Sequence, residues 1–384
     1  MSTGFTGKID ALARKQEEIH VVTFGEVMLR IGTVDSQTFY QALPGKLDLT
    51  FGGAEANVAV SLAMLGRETR FVSALPKNVL ADACIRELKG FGVDTSSIVR
   101  TDEGRMGIYF LETGANQRPS KVLYDRNDSV ISLTPPEAYD WEAAFADSHW
   151  LHVTGITPAL TSLAARSVLD AVKRASEKGC IVSCDLNYRN KLWKWDSSRT
   201  QKELAGNTMR GILPFVDILI ANEEDAKDVL GIQSDIDVTS GTLDSEKYTQ
   251  TAAEIVREFP NISVVATTLR ESISASHNNW GALLYDARTG SSYLAPLKEG
   301  TYSPFPIRNI VDRVGGGDAF SAGLIFALSD KEIAANAENP MERALAFAVA
   351  SSCLSHSIPG DYNYTNKEDV MKLMGGDGSG RVQR

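Results

Sequence analysis

Cysteine is scarce in this chain, with four in 384 residues: Cys84, Cys180, Cys184 and Cys353. Such sparse use excludes a disulfide-stapled small fold. Only Cys180 and Cys184 lie close together, and they flank Ile181-Val182-Ser183, which reads as a strand interior. Reduced core thiols are therefore expected rather than a zinc site or a disulfide. Positive charge is short as well: 39 Lys and Arg stand against 49 Asp and Glu, for a net charge of −10. No long basic run appears, so nucleic acid and anionic membrane are poor partners. No apolar run reaches the ~18 residues that span a bilayer. Residues 1–18 are polar and charged and lack a secretory apolar segment, so a cytoplasmic protein is expected. An acidic chain that binds anions must concentrate its cations locally.

What is present is length and apolar content, 43% of residues, which suits one large α/β unit. His20-Val21-Val22-Thr23-Phe24-Gly25 is a β-branched run ending in glycine. Ahead of it, residues 10–18 read as a short helix with Asp10 as its cap. Helical spacing over 54–65 stops at Gly66, and 71–75 reads as a strand followed by a helix over 80–90. The pattern then changes. Residues 107–111 and 121–124 read as a hairpin separated by the turn-rich stretch 114–120. Strands follow at 149–153, 181–185, 216–221, 262–267 and 281–285, with helices at 160–178, 223–230, 320–328 and 342–354. This alternation predicts a parallel sheet covered on both faces, with ligands beyond the carboxyl ends of its strands. Residues 233–250 read as a polar surface excursion, and the Gly-rich tail from 375 as disordered.

The most informative stretch is Val311-Asp312-Arg313-Val314-Gly315-Gly316-Gly317-Asp318-Ala319-Phe320. Three glycines lead into an apolar helix. Without Cβ atoms the backbone can approach a phosphate and aim several N–H groups at it, and the helix dipole adds to the attraction. Asp318 at the helix start can take a proton from an attacking hydroxyl. The plainer alternative is that Asp318 only caps the helix. The run is neither a Walker A loop, since no Lys-Ser/Thr follows, nor a Rossmann fingerprint.

At these residues the chain resembles the ribokinase-like (PfkB) carbohydrate kinases, whose signature is commonly D-T-x-G-A-G-D-x-F. It departs at Arg313 and Gly316, where Thr and Ala are common. The resemblance implies Asp318 as general base and the amides of Gly315, Gly316, Gly317 and Asp318 as an anion hole. Phe51-Gly52-Gly53-Ala54-Glu55-Ala56-Asn57 looks like the family's sugar-site glycine pair, with Asn57 offering both donor and acceptor to hydroxyls. The resemblance spans residues 21–361. It implies one kinase domain over 19–370 after an N-terminal extension: a three-layer α/β/α fold with a mostly parallel sheet. A small β-sheet lid would come from 27–51 and 106–125, with a flexible tail from 371. Lid-to-lid homodimerisation is conceivable from its exposed strand edges.

The subgroup it looks most like is the 2-keto-3-deoxygluconate kinases. Gly25-Glu26-Val27-Met28-Leu29-Arg30, Tyr124-Asp125-Arg126, Asp185-Leu186-Asn187-Tyr188-Arg189 and Ile358-Pro359-Gly360-Asp361 carry that likeness. A sugar acid needs cations, and Arg126 and Arg189 offer planar donor forks. Arg189 suits either the sugar carboxylate or the γ-phosphate. Tyr109 and Tyr124 either pack the lid face or contact the sugar. On the nucleotide side, Ala221-Asn222-Glu223-Glu224-Asp225 resembles the family's N-x-x-E element, which positions hydrated Mg²⁺. Asp225 stands where Glu is usual, with Glu224 as its alternative. Thr268 belongs to the implied ATP passage, Arg270 stands where the family usually has Gly and either touches phosphate or points to solvent, and Phe347 packs on either the adenine or the core. Asp312 is implied as an anchor for K⁺ or Na⁺. The expected reaction is phosphorylation of the 6-hydroxyl of the sugar acid by ATP with Mg²⁺. Fructose or another keto-sugar is the alternative acceptor, and a non-catalytic sugar-binding regulator is the alternative of another class. A nucleoside acceptor suits the paired arginines less.

Overall fold

The computed structural model describes residues 8, 19–222, 224–232, 245–335 and 339–376. The helix expected over 10–18, most of the polar excursion and the end of the tail lie outside them.

Period-two burial on both faces builds the main sheet. On its strands, Val22, Phe24, Leu151, Val153, Val182, Cys184, Leu219 and Ala221 pack on one side. Val21, Trp150, Ile181, Ile218, Ile220, Val264 and Ala266 pack on the other. Strands buried on both sides need helices on both sides, which gives the expected three layers. The first side meets helices Ser162–Glu177 and Gln201–Ile212. The second meets Ala54–Met64, Gly316–Ser329 and Pro340–Ser355.

The strands are β1 (His20–Phe24), β2 (Met28–Gly32), β3 (Asp48–Gly52), β4 (Glu68–Pro76), β5 (Ile98–Thr101), β6 (Gly107–Glu112) and β7 (Lys121–Asp125). They continue with β8 (Trp150–Thr154), β9 (Ile181–Asp185), β10 (Ile218–Ala221), β11 (Val264–Ser274), β12 (His277–Asp286) and β13 (Ser291–Ala295). The main sheet runs β13-β12-β11-β10-β9-β8-β1-β4-β5, and a short strand, Phe305–Ile307, also pairs with β12. From β11 through to β5 every pairing is parallel, while β12 and β13 are antiparallel. Chain order reverses between β1 and β8, so the carboxyl ends there open a crevice.

A second sheet, β3-β2-β6-β7, stands over that crevice. Its register puts Arg30, Tyr109 and Tyr124 in one row across β2, β6 and β7.

Two differences from the sequence reading have clear causes. Helix Ser245–Glu258 replaces part of the polar excursion, because Tyr248, Ala252 and Ile255 recur at helical spacing and are buried. Strands β11 and β12 extend well past 267 and before 281. Their extension is largely polar and exposed on β11, which hid its strand character, and the Asn279 amide donates to Glu271 at 2.6 Å across it. All four cysteines are unpaired. Among the described residues no helix is long and apolar enough to cross a membrane.

Candidate active site

The crevice is a cleft of about 430 Å³ between the carboxyl ends of the main sheet and the small sheet. Its floor is the start of helix Gly316–Ser329. Gly315 caps that helix at φ +82°, and a Cβ there would overlap the carbonyl oxygen of Asp361. Only glycine tolerates both the conformation and the approach. The first helical amides have no intrahelical acceptor and no side chain caps them. The space above Gly317 is open, while Gly316 lies against the His356 ring. These amides form a ready cradle for an anion.

Asp318 is the third residue of the helix rather than its cap. Its Oδ2 accepts a hydrogen bond from Asn57 Nδ2 at 2.7 Å. Burial lifts its pKa to about 6; the Asn57 bond pulls it down, Asp361 raises it and Arg189 lowers it. A carboxylate tuned there is ionised near neutrality yet basic enough to accept a proton. Asn57 comes from helix Ala54–Met64 and accepts from the Gly53 amide at 3.1 Å. The glycine pair is tightly seated: a Cβ on Gly53 would overlap the Glu26 carbonyl, and one on Gly52 the Asp361 carboxylate.

The roof is the inner face of the small sheet. Tyr109 donates its hydroxyl to Asp361, and its ring lies 6.2 Å from that of Tyr124. Arg126 is buried against Glu26, and its guanidinium sits 5.4 Å from the Tyr124 ring centre. Glu26 Oε1 and Arg126 Nε are both buried without partners, and both residues line the cleft. Unpaired buried groups of opposite polarity at one wall mark a place for ligand hydroxyls or carboxylate.

Toward the other end stand three carboxylates. Asp185 closes β9, and burial lifts its pKa, with further rises from Asp225 and Asp318. Asp225 is raised to about 6 by burial, although the amides of Asn222 and Tyr188 donate to it at 3.0 and 3.2 Å. Arg189 lowers the pKa of all three. This excess of negative charge fits a cation arriving with a phosphate chain. Among the described residues no group of three or more His, Cys, Asp or Glu is arranged to hold a metal unaided. Beyond them, Thr268, Arg270, Asn278 and Trp280 line the cleft from β11 and β12. Asn278 Oδ1 and Trp280 Nε1 are buried without partners.

Most residues singled out from sequence converge here: Gly53, Asn57, Tyr109, Tyr124, Arg126, Arg189, Asn222, Asp225, Thr268, Arg270, Gly315, Gly316, Gly317 and Asp318. Four do not take the places expected. Gly52 is outside the cleft lining and is seated against the Asp361 carboxylate instead. Phe347 is fully buried and stacks on Phe326 at 5.3 Å, so the core claims it and no base can reach it. Glu224 is exposed and outside the cleft lining, because Asn222 turns the chain so that Asp225 faces inward. Asp312 is ion-paired with Arg30 rather than open. Glu223 lies outside the described residues. Glu26, Glu55, Asp185, Asn278, Trp280, His356 and Asp361 also line the cleft and were not singled out. Glu26 and Asp185 each stand at or just past the end of a strand, which was the available signal. Asn278 and Trp280 had none.

The family model for pfkB family carbohydrate kinases matches residues 18–368. A 2-dehydro-3-deoxygalactonokinase of Haloferax volcanii is 30% identical over 94% of this chain and 98% of its own length. The crystal structure of a 2-dehydro-3-deoxygluconokinase from Thermotoga maritima superposes with a TM-score of 0.82 at 42% identity, covering 93% of this chain and 100% of that one. A 2-dehydro-3-deoxygluconokinase of Bacillus subtilis is 27% identical over 82% of this chain and 84% of its own.

Proposed function

The chain belongs to the pfkB family of carbohydrate kinases, and from that premise we propose that it phosphorylates the 6-hydroxyl of 2-keto-3-deoxygluconate with ATP. The observation that carries this reading is the Asp318 carboxylate, set in a glycine amide cradle and bonded to Asn57 of the sugar-side helix.

In this reading Asn57 Nδ2 holds Asp318 Oδ2 and leaves Oδ1 for the acceptor hydroxyl. As the C6 oxygen attacks the γ-phosphorus, its proton passes to Asp318. The new C6 O–P bond forms, the bond from phosphorus to the β–γ bridging oxygen breaks, and ADP departs with that electron pair. The amides of Gly315, Gly316 and Gly317 face the charge on the transferring group. Mg²⁺ arriving with ATP would supply charge neutralisation for the phosphate chain. Asp185 and Asp225 are the residues that would hold its hydration shell, and its charge would offset their mutual repulsion. Arg189, which acts on all three carboxylates, fits the γ-phosphate end. Arg126 and Glu26 fit the sugar acid's carboxylate and hydroxyls, with Tyr109 and Tyr124 packed over the chain. The small sheet acts as a lid that keeps water from competing with the hydroxyl.

The gluconate and galactonate derivatives that the relatives are named for share a carboxylate and a 6-hydroxyl, so the test is a panel. ADP release is measured with both 2-keto-3-deoxy sugar acids, fructose and ribose. The expected kcat/KM is highest for the gluconate derivative. Asp318→Asn should lower kcat by about 10²–10⁴-fold while keeping ATP binding. Release of ADP with none of these sugars would favour a sugar-binding regulator. Near-normal turnover by the Asn variant would remove Asp318 as the base.

A further inference from the structure

Resemblance to the family implies a K⁺ or Na⁺ ion anchored by Asp312 behind the glycine loop, and the residues around Asp312 do not fit one. Asp312 Oδ2 accepts from the Arg30 guanidinium and from the Gly360 amide at 3.2 Å, and Oδ1 accepts from the Val314 amide at 3.0 Å. Asp361 Oδ1 accepts from Arg30 Nη1 at 2.7 Å and from the Tyr109 hydroxyl. An alkali cation is held by oxygen lone pairs, and here those oxygens already face donors. The charge count agrees. Asp312 and Asp361 are met by the buried Arg30, and Arg313 also feels Asp312 while Arg270 repels it. Another cation would enter surroundings that are already balanced.

We infer that Arg30 is the built-in cation of this loop, a positioning residue that takes the place of an alkali ion. It arrives on β2 of the small sheet and grips two carboxylates 49 positions apart in sequence, Asp312 and Asp361. Asp312 opens the loop, and Asp361 abuts both Gly315 and Gly52. Arg30 thus fixes the amide cradle from behind, and the charge that does so comes with the roof of the sugar pocket. Two consequences follow: turnover needs no K⁺ or Na⁺, and the seating of the small sheet and the geometry of the cradle depend on one side chain. Which reaction to assay rests on the proposed sugar-acid kinase activity, whereas the ion requirement is also read from folding.

The full chain is melted in potassium, sodium and tetramethylammonium chloride at equal ionic strength. Tm should agree within about 1 °C, whereas a filled ion site raises it with the logarithm of ion concentration over Kd. A rise of about 3 °C or more in potassium or sodium overturns the inference. The same three salts should change kcat by less than about twofold; about tenfold activation by either alkali ion overturns it as well. Arg30→Met should lower kcat by about 10²-fold with a smaller change in KM, and added guanidinium should restore part of the loss. Arg30→Lys, which keeps a charge but not the fork, should fall between Met and wild type. Wild-type kcat in Arg30→Met refutes the role. If the wild-type chain turns over none of the sugars, the proposed reaction fails, and the melts still decide whether an ion site exists.

Discussion

Asn57→Leu removes the hydrogen bond that tunes the base, together with the acceptor of the Gly53 amide. In the native chain Asn57 Nδ2 donates to Asp318 Oδ2 at 2.7 Å, and Asp318 stands at about 6. Leucine has the same branched skeleton and no donor. A hydrogen bond to a charged group contributes about 1.5–3 kcal/mol, and one pKa unit is about 1.4 kcal/mol, so its loss implies a rise of about 1–2 units. Asp318 is only partly buried and the cleft admits water, which replaces part of the bond, so the lower end applies: about 7. The assay is kcat/KM for the sugar acid from pH 5 to 9 (roughly the range that brackets both values), read from ADP release. The wild-type acid limb should fall near 6 and that of the variant about one unit higher. Nucleotide phosphate titrates in the same region, so the difference between the two proteins is the quantity to read. The variant should therefore be most impaired below pH 7 and recover above it, on top of any pH-independent loss from weaker sugar binding. A limb that stays in place, or moves down, refutes the assignment of Asp318 as the titrating base.

The same raised pKa makes Asp318→Asn a stabilising change. The native state holds this proton more tightly than the unfolded chain, so the contribution is full below about pH 4 and lost as pH rises through about 6. At pH 8 the Asn variant should melt about 2–4 °C higher while losing turnover, after discounting the shift for solvent access; an equal or lower Tm contradicts the buried charge. Asn278→Ala and Trp280→Phe each remove an unpartnered polar atom from the β12 wall. Each should raise KM for ATP about three- to tenfold and leave the sugar KM alone, as initial-rate kinetics would show. Phe347→Ala should cost about 3–5 kcal/mol of stability in urea unfolding, whereas Phe347→Leu should leave KM for ATP unchanged, since the ring is core and not ligand wall.

The legible parts of this site are those written in consecutive residues. Gly315, Gly316, Gly317 and Asp318 carry their physics locally, in missing Cβ atoms and a helix start. Gly52, Gly53 and Asn57 do the same at a second helix start, which meets the first through the Asn57–Asp318 bond. The covered parallel sheet was legible because strands alternate with helical stretches, and the structure shows both faces of its strands packed on helices. What stayed hidden depends on partners far away in the chain. Arg126 reads as a cation for a ligand, and only the folded chain shows Glu26 against it. Phe347 has two readings on one helix, and the face that meets Phe326 decides between them. Asn278 and Trp280 belong to the part of a hairpin whose polar outer positions erase its apolar rhythm, so the extension of the strands and its two inward polar groups were missed together.

Arg30 shows why the last class matters for chemistry and not only for packing. An arginine in a short strand among apolar residues signals nothing by itself. Burial opposes its charge, and Asp312 and Asp361, with a contribution from Tyr109, more than offset that. Removing either carboxylate would leave a buried charge half-paired, and removing Arg30 would leave two carboxylates facing each other behind an anion cradle. Such a triad is stable only when the small sheet is seated and the loop is in place. The glycine cradle and the small sheet above it are therefore tied through one side chain, and displacing the small sheet would break both of its ion pairs.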